Sequence, residues 1–558
     1  MRGYVLLAFA SMKQVHEYFS YWDWAVVAGY MIFTTVLGHR LSGKQSNIKD
    51  FFLGGKTLPW WSVSGSMIAT EISALTFIGV PGMVYAMAGD WTYLQWGLGS
   101  IVARLGVAYW LVPLYYEKEI YSPYDFMGDR LGEGARRLVT GLFALGSILG
   151  QSVRVLVTAI ILQVVTGMDA RLCIVIIGAV AVLWTFMGGM QTVIWTDVIQ
   201  FCLFIFGGVL AFSLLVGQLG WSEIVELNQV TVDGNPKDKL RWLDFTAPFQ
   251  EPGLRYTMWV ALIAMPFQNF TAFGVDQLNT QRMFCCGNIK DARKAMCWSS
   301  VSIFVTVLML AVGAGLFAWY RVNEPTAVIA DSFQKGNNVF PTWITMEVHQ
   351  GLSGLILAGA FAAAISSLDS ILAALSQTSL SVIYGREKLE AEGRGEEMVR
   401  LSRIAVCIWG VILTAAGLGL WVVYERNPDS DLIGLAFGMV AYTYGPLLGV
   451  LLAALIPLRS DTRGLVFGTV LSVALVSWFR PELPLLLEAV VSWLRPELPL
   501  FLDANGFKDL AGWLTGWQPK EWVTSSRPKL ASEWFFPLNA SITVVCGLFA
   551  GWLKSLKQ

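Results

Sequence analysis

Histidine is almost missing from this chain of 558 residues: His16, His39 and His349 are its three, set far apart. That excludes zinc sites built on paired histidines and any catalytic triad assembled around a local histidine motif. Charge is scarce too, 14% of residues with a net charge of -1, and no basic patch with interleaved aromatics occurs, so nucleic acid is not a partner. No Gly-rich phosphate loop or metal-ligand spacing appears, and an enzyme is not expected. Cysteine is thinly spread as Cys173, Cys202, Cys285, Cys286, Cys297, Cys407 and Cys546, within apolar stretches or in connections read as cytoplasmic. A disulfide framework is therefore not expected, and these are packing residues. No Ser/Gly linker or soluble-domain stretch interrupts the chain.

What is abundant is apolar: 55% of residues are hydrophobic and 13% aromatic, which defines an all-α polytopic membrane protein. Hydropathy places spans at roughly 22–41, 60–86, 91–115, 136–167, 171–188, 191–217, 256–281, 296–320, 344–384, 401–424, 431–458, 463–479 and 535–554, about thirteen helices. Basic residues recur on alternate connections: Arg40, Lys44, Lys49 and Lys56; Arg130, Arg136 and Arg137; Arg282, Lys290, Arg293 and Lys294; Arg386 to Arg403; Arg459 and Arg463; Lys554 and Lys557. The positive-inside rule makes that side cytoplasmic, with the N-terminus outside and the C-terminus inside a cell membrane. Arg2 and a short apolar run precede no small-residue cleavage site, so the N-terminus is read as retained. The division expected is a peripheral helix and loop (1–59), a first five-helix repeat (60–217), an extracellular loop (218–255), a second, inverted repeat (256–458) and peripheral helices (459–558). Within the last part, the run from Val476 to Pro484 recurs fifteen residues later from Val491 to Pro499, a pattern suited to the headgroup layer.

Polar groups inside the spans carry the chemistry. The run from Ala360 to Ser370 sets Ser366, Ser367, Asp369 and Ser370 among small residues, with Ser366, Asp369 and Ser370 at helical i,i+3 and i,i+4 spacing. An ionisable group in a span marks an ion or substrate path, and oxygen ligands without His or Cys suit a hard cation. The span 60–86 holds Thr70, Glu71, Ser73 and Thr76 before Gly79-Val80-Pro81-Gly82, and the span 256–281 holds Pro266, Gln268, Asn269 and Thr271. Both read as discontinuous helices, and their opposite entry makes the two five-helix units inverted, as in transporters with a midplane site. Ala69 to Thr76, Arg154, Asn269, Ser366 and Ser367 fall near mid-membrane, Gln95 nearer the outside, and Asp197 and Asp369 at one level in the cytoplasmic half. Arg154 cannot shed its charge there and needs a carboxylate, supplied either by Glu71 or by a ligand.

Taken in order, Phe52-Leu53-Gly54-Gly55-Lys56, Leu58-Pro59-Trp60-Trp61, Ala69-Thr70-Glu71-Ile72-Ser73-Ala74, Phe77-Ile78-Gly79, Tyr121-Ser122-Pro123-Tyr124-Asp125, Gly188-Gly189, Trp195-Thr196-Asp197-Val198-Ile199-Gln200, Asp276-Gln277 with Gln281-Arg282, and Ala362-Ala363-Ala364-Ile365-Ser366-Ser367 resemble the sodium:solute symporter family over about the first 460 residues. The resemblance implies an amino-acid-transporter-like core that couples a small solute to Na+. It also implies a first sodium site from the carbonyls of Ala69, Ile72 and Ala363 with the hydroxyls of Ser366 and Ser367, and a second from Asp197, Ser366, Asp369 and Ser370. In sialic acid symporters of the family an arginine placed like Arg154 holds the substrate carboxylate, and Glu71, Ser73, Thr76 and Gln95 match their other substrate contacts. Glu71 stands where those relatives carry a hydroxyl. Asn269 matches a residue of sugar-transporting members.

The expectation is thus a sodium symporter that imports a carboxylate-bearing small solute, a sialic acid-like sugar acid or a monocarboxylate, by alternating access in the lipid bilayer, without an obligatory protein partner. A neutral sugar or polyol cotransporter and a non-transporting sensor on the same core are the alternatives.

Overall fold

In lipid a spanning segment must satisfy its own backbone polar groups, which leaves this chain no choice but helices. The computed structural model describes residues 16–41, 53–118, 120, 122–187, 190–251, 253–325, 338–384, 395–426, 432–480 and 530–556. Most of the near-repeat, from Pro481 on, lies outside the described residues, as do Gly188, Gly189 and Tyr121.

In chain order the helices are α1 (Tyr21–Leu41), α2 (Trp60–Glu71), α3 (Val80–Tyr85), α4 (Trp96–Gly106), α5 (Val112–Glu117), α6 (Pro123–Leu131), α7 (Glu133–Thr166), α8 (Ala170–Met187), α9 (Met190–Leu219) and α10 (Trp221–Leu227). There follow α11 (Met265–Gly274), α12 (Gln277–Met283), α13 (Ile289–Trp298), α14 (Ser302–Val322), α15 (Val339–Glu347), α16 (Leu352–Tyr384), α17 (Gly395–Arg426), α18 (Leu432–Ala441), α19 (Tyr444–Leu455), α20 (Thr462–Phe479) and α21 (Phe535–Ser555). Among the described residues nine helices are long and apolar enough to cross a membrane, and a tenth if the bent pair Trp60–Glu71 and Leu75–Tyr85 is one span. The expected thirteen is reached only by counting α1 and the shorter apolar helices Ala170–Phe186 and Val260–Gly274 with them.

The helix interruptions lie elsewhere than the prolines. The first broken span bends by 59° between Glu71 and Leu75, where Ile72 takes up extended backbone (φ -75°, ψ 125°). Pro81 sits one turn on, at the start of α3, preceded by a π-turn over Leu75–Gly79. The same arrangement recurs with a π-turn over Val107–Leu111 before Pro113 and over Val260–Ala264 before Pro266. A proline has no N–H to return to the preceding turn, and widening that turn absorbs the loss without breaking the rod. The second interruption falls after Gly274, at Val275 and Asp276, and Asp276 caps α12 by accepting the Leu278 N–H at 2.8 Å.

One further expectation needs correction. The stretch 344–384 is two helices, separated before α16 by Gly351 in left-handed backbone (φ 86°). The expected span 431–458 is found as Leu432–Leu455, one stretch long and apolar enough to cross, with a turn at Tyr442 and Thr443 between α18 and α19. The loop 218–255 carries α10 and an antiparallel hairpin, β1 (Gln229–Val232) with β2 (Asn235–Asp238), turned through Asp233 and Gly234, both at positive φ. Asp-Gly is the sequence signal for such a turn.

Helix α16 is the axis of the bundle, almost wholly buried and packed lengthwise on α9. At its start Asp23 of α1 accepts the Gly351 N–H (2.6 Å), the Gly354 N–H (2.8 Å) and the Ser353 hydroxyl (2.5 Å), capping α16 from the neighbouring helix. At the other side α19, α20 and α21 pack through glycines spaced four apart. A Cβ on Gly464 would lie 2.3 Å from the Cys546 carbonyl oxygen, and one on Gly445 2.5 Å from the Asn539 Cβ.

Candidate functional site

The bend after α2 brings it against the middle of α16. Helix α2 ends with the Ile72 N–H on the Ile68 carbonyl at 2.9 Å, and the chain restarts on the Ser73 carbonyl, which accepts the Thr76 N–H (2.9 Å) and the Phe77 N–H (3.1 Å). The last carbonyls of α2 are thereby released from the helical ladder. Across from them the Ser367 hydroxyl bonds the Ala363 carbonyl (3.2 Å) and the Thr70 carbonyl (3.4 Å), so this serine bridges the two helices. Ala69, Ile72, Ala363, Ser366 and Ser367 are all buried around this contact. Uncharged carbonyl and hydroxyl oxygens of this kind fit Na+.

One turn along α16 lies a charged cluster. Asp197 of α9 accepts the Ser366 hydroxyl on one oxygen (2.5 Å) and the Ser66 hydroxyl on the other (2.5 Å). The second oxygen also meets the Arg282 guanidinium at 3.1 Å. Arg282, expected in a cytoplasmic connection, is fully buried: it also donates to the Ser66 hydroxyl (2.8 Å), the Leu278 carbonyl (2.6 Å) and the Ser370 hydroxyl. Asp369 accepts from the Ser370 hydroxyl at 3.2 Å and otherwise faces a small recess toward Thr34, Thr192 and Thr196. Asp197, Ser366 and Ser370 are thus joined, with a guanidinium in their midst, and Asp369 turns partly away.

Between the two broken spans is a cavity of about 220 Å³. Glu71, Ser73, Thr76, Arg154 and Asn269 all line it, together with Gln268, Asp276 and Tyr444. Arg154 donates to the Thr70 carbonyl at 3.0 Å. Its expected protein partner is engaged elsewhere: Glu71 forms an ion pair with Arg104 of α4, which is buried, donates to the Ser299 hydroxyl at 2.9 Å and lies 4.0 Å over the Phe273 ring. Asp276 accepts the Tyr444 hydroxyl at 2.7 Å. Among the described residues, four buried polar atoms on the wall have no hydrogen-bond partner: the hydroxyls of Ser100 and Ser147 and the carbonyl oxygens of Gln151 and Asn279. Ser147, Gln151 and Arg154, at i, i+4 and i+7 of α7, follow one helix face over about 10 Å.

Gln95 is not on the cavity wall. Its amide donates to the Tyr256 carbonyl (3.0 Å) and accepts the Asp244 N–H (3.2 Å), holding the 218–255 loop. The neighbouring Trp96 does line the cavity, tilted against Tyr256 (4.9 Å between ring centroids) and edge-on to Phe437 (4.7 Å). Arg255 beside this aromatic group forks onto the buried carboxylate of Glu533, at 2.6 Å. Sequence reasoning passed over Arg104, Glu533 and Tyr444. A signal existed for Arg104, the lone cation inside the apolar run 91–115.

Two interrupted helices around a polar cavity, with carbonyl and hydroxyl oxygens that fit a cation, are the arrangement of an ion-coupled membrane transporter. The sodium:solute symporter family model matches residues 51–471, and the chain belongs to that family. It is a multi-pass, sodium-coupled transporter of a small solute and not an enzyme. Similar proteins include the sodium/sialic acid symporter SiaT of Proteus mirabilis, 27% identical over 83% of this chain and 90% of that protein. The sodium-coupled monocarboxylate transporter 1 of Xenopus laevis is 25% identical over 97% of this chain and 87% of its own length. A solved substrate-bound, outward-open structure of a Na+-coupled sialic acid symporter superposes with a TM-score of 0.73 at 23% identity, covering 96% of this chain and 98% of that one. That likeness carries the fold, with its two inverted repeats.

Proposed function

We propose that the chain imports a polyhydroxylated, carboxylate-bearing solute, a sugar acid, together with sodium. The observation that carries this reading is the pairing of Glu71 with Arg104, which leaves the Arg154 guanidinium facing the cavity with no carboxylate in ion-pair contact among the described residues. A buried guanidinium is a bidentate partner for a carboxylate. The unpartnered oxygens of Ser100, Ser147, Gln151 and Asn279 ask for donors, which a polyhydroxylated ligand supplies and a short monocarboxylate does not. Ser73, Thr76, Gln268 and Asn269 add further polar groups, and the exposed side of Glu71 accepts from a ligand hydroxyl or amide. The names of the sialic acid symporters among the similar proteins support the same class.

Sodium is held by the carbonyls of Ala69, Ile72 and Ala363 with the Ser366 and Ser367 hydroxyls. Holding it there ties α2 to α16, so its binding favours whichever state keeps the two helices together. Arg282 already supplies positive charge to Asp197, Ser66 and Ser370, which favours one sodium per cycle over a second ion at Asp197, Ser366, Asp369 and Ser370. Each positive charge moved adds about 2.3 kcal/mol per 100 mV of membrane potential. The basic connections face the cytoplasm of a cell membrane, with the N-terminus outside and the C-terminus inside. The parts 60–217 and 256–458 are the two repeats, flanked by peripheral helices.

Proteoliposomes with an imposed sodium gradient test this with N-acetylneuraminate, gluconate, lactate, glucose and myo-inositol. Sodium-driven uptake of a sugar acid is expected; uptake of lactate alone, or of glucose or myo-inositol in preference to every acid, would defeat the proposal.

A further inference from the structure

A second cavity, remote from the transport site, opens at the basic end of the bundle. It has a volume of about 550 Å³ and lies where α6, the turn from α19 to α20 and the last turn of α21 meet. Arg130, Arg459 and Lys554 all line it, and beside them Leu131, Ala454 and Leu458 give it an apolar wall. The Ser460 hydroxyl, also on the wall, is buried with no hydrogen-bond partner among the described residues. Asp461 stands close by: it pairs with Lys554 at 3.0 Å and caps α20 through the Arg463 N–H at 2.8 Å.

The frame around this recess is fixed by backbone contacts. Gly551 of α21 lies so near the Arg459 carbonyl that a Cβ there would approach its oxygen to 1.9 Å. The Asp461 N–H donates to the Gly547 carbonyl (3.1 Å), and the Thr462 hydroxyl to the Leu131 carbonyl (3.3 Å). Three basic side chains on one wall, against Asp461 beside Lys554, attract an anionic group to the recess. The surroundings are those of a bilayer interface: Leu458 is 63% exposed, and on the neighbouring turn of α21 Trp552 and Leu556 are exposed as well.

A ligand that fits both walls carries anionic oxygens for the cations and hydrocarbon for Leu458. We propose that this recess binds the headgroup of an anionic phospholipid. Its phosphodiester oxygens meet Arg130, Arg459 and Lys554 and accept from the Ser460 hydroxyl, while its acyl chains run over Leu458 and the flank of α21. Basic pockets between spanning helices are suited to anionic headgroups. A lipid bound there links the peripheral helices α20 and α21 to α6 at the edge of the core, and the orientation proposed above puts it in the cytoplasmic leaflet.

The test is native mass spectrometry of the full chain in detergent, titrated with phosphatidylglycerol, with phosphatidylcholine, and with inorganic phosphate as the soluble alternative. Wild type should retain phosphatidylglycerol in preference to phosphatidylcholine. Arg130→Gln and Arg459→Gln should each weaken that binding about fivefold, and the double variant about thirtyfold, as ~1 kcal/mol per cation implies. Arg137→Gln removes an exposed cation paired with Glu133 at 3.5 Å and serves as the control, expected to bind as wild type. Equal lipid binding by wild type and the double variant overturns the proposal, as does equal weakening by Arg137→Gln, which indicates a diffuse surface effect. Phosphate displacing the lipid at matched concentration also overturns it, in favour of a soluble anion. If the double variant does not fold, the two single variants carry the same comparison.

Discussion

Glu71 and Arg104 form an ion pair across the wall of the transport cavity, and that pair decides what Arg154 is free to do. Arg104 is wholly buried between the Ser299 hydroxyl and the Phe273 ring, whereas the Glu71 side chain keeps 31% of its surface toward the cavity. The pair therefore hides its cation and shows its anion. On the function proposed above, a carboxylate in a site for an acid is tolerable because Arg104 neutralises it from behind.

Removing one half of this pair exposes the cost of the other. Glu71→Gln leaves a buried guanidinium without its counter-ion and should lower stability by about 3 kcal/mol. The double variant Glu71→Gln, Arg104→Gln should recover most of that loss. Thermal unfolding of the detergent-solubilised variants reads both, and additive losses would contradict the pairing.

Ser367 joins α2 to α16 and, on the reading above, supplies one oxygen to sodium. Ser367→Ala should weaken sodium affinity about tenfold, the equivalent of ~1.4 kcal/mol, with little effect on folding. Sodium-dependent binding of the transported acid measures the shift. With Arg282 engaging Asp197, the sodium dependence should follow a Hill coefficient near one in wild type and variant.

Asp23 caps a helix that is not its own, accepting from Gly351, Ser353 and Gly354 at the start of α16. Asp23→Ala should destabilise by about 1–2 kcal/mol while leaving sodium affinity near that of wild type. A lowered unfolding temperature with unchanged sodium dependence is the expected pair of results.

Lys239, in the loop after β2, closes the end of α3. Its ammonium donates to the carbonyls of Ala86 (2.5 Å) and Gly89 (3.0 Å) and sits 4.3 Å over the Phe317 ring. Burial, reinforced by Lys237 and opposed by Asp90, pushes its pKa down from 10.5 to about 8. The protonated form is thus penalised in the folded state. That penalty is complete below pH 8 and is relieved as the pH rises from about 8 toward 10.5, because the unfolded chain then holds the extra proton. Relative to Lys239→Met, wild type should gain stability across this window; a parallel pH profile for the two would show that Lys239 does not titrate there.

Much of the architecture was legible because lipid leaves so few options. Apolar runs gave the helices within a few residues, and polar residues inside them pointed to the cavity lined by Glu71, Ser73, Thr76, Arg154 and Asn269. The interruptions were misplaced because proline was read as a break, whereas here a π-turn precedes Pro81, Pro113 and Pro266 and the rods continue. Partners were harder to read than positions. Glu71 and Arg154 share a depth, yet depth does not tell which helix face meets which neighbour, and Arg104 on α4 takes the carboxylate. Arg282 was read as a loop charge because it follows the interrupted span, but α12 folds it back beneath Asp197. Gln95 has the polarity of a binding residue and points instead at the loop backbone.

The central claim is that Arg154 receives the carboxylate of the transported solute, and sodium-gradient-driven uptake by Arg154→Gln proteoliposomes tests it most directly. Loss of one bidentate, charge-assisted contact should reduce acid uptake by about 10- to 100-fold at limiting substrate, with folding and sodium-dependent stabilisation retained. Uptake of the acid at the wild-type rate in Arg154→Gln would contradict the account and leave the guanidinium a structural ligand of the Thr70 carbonyl.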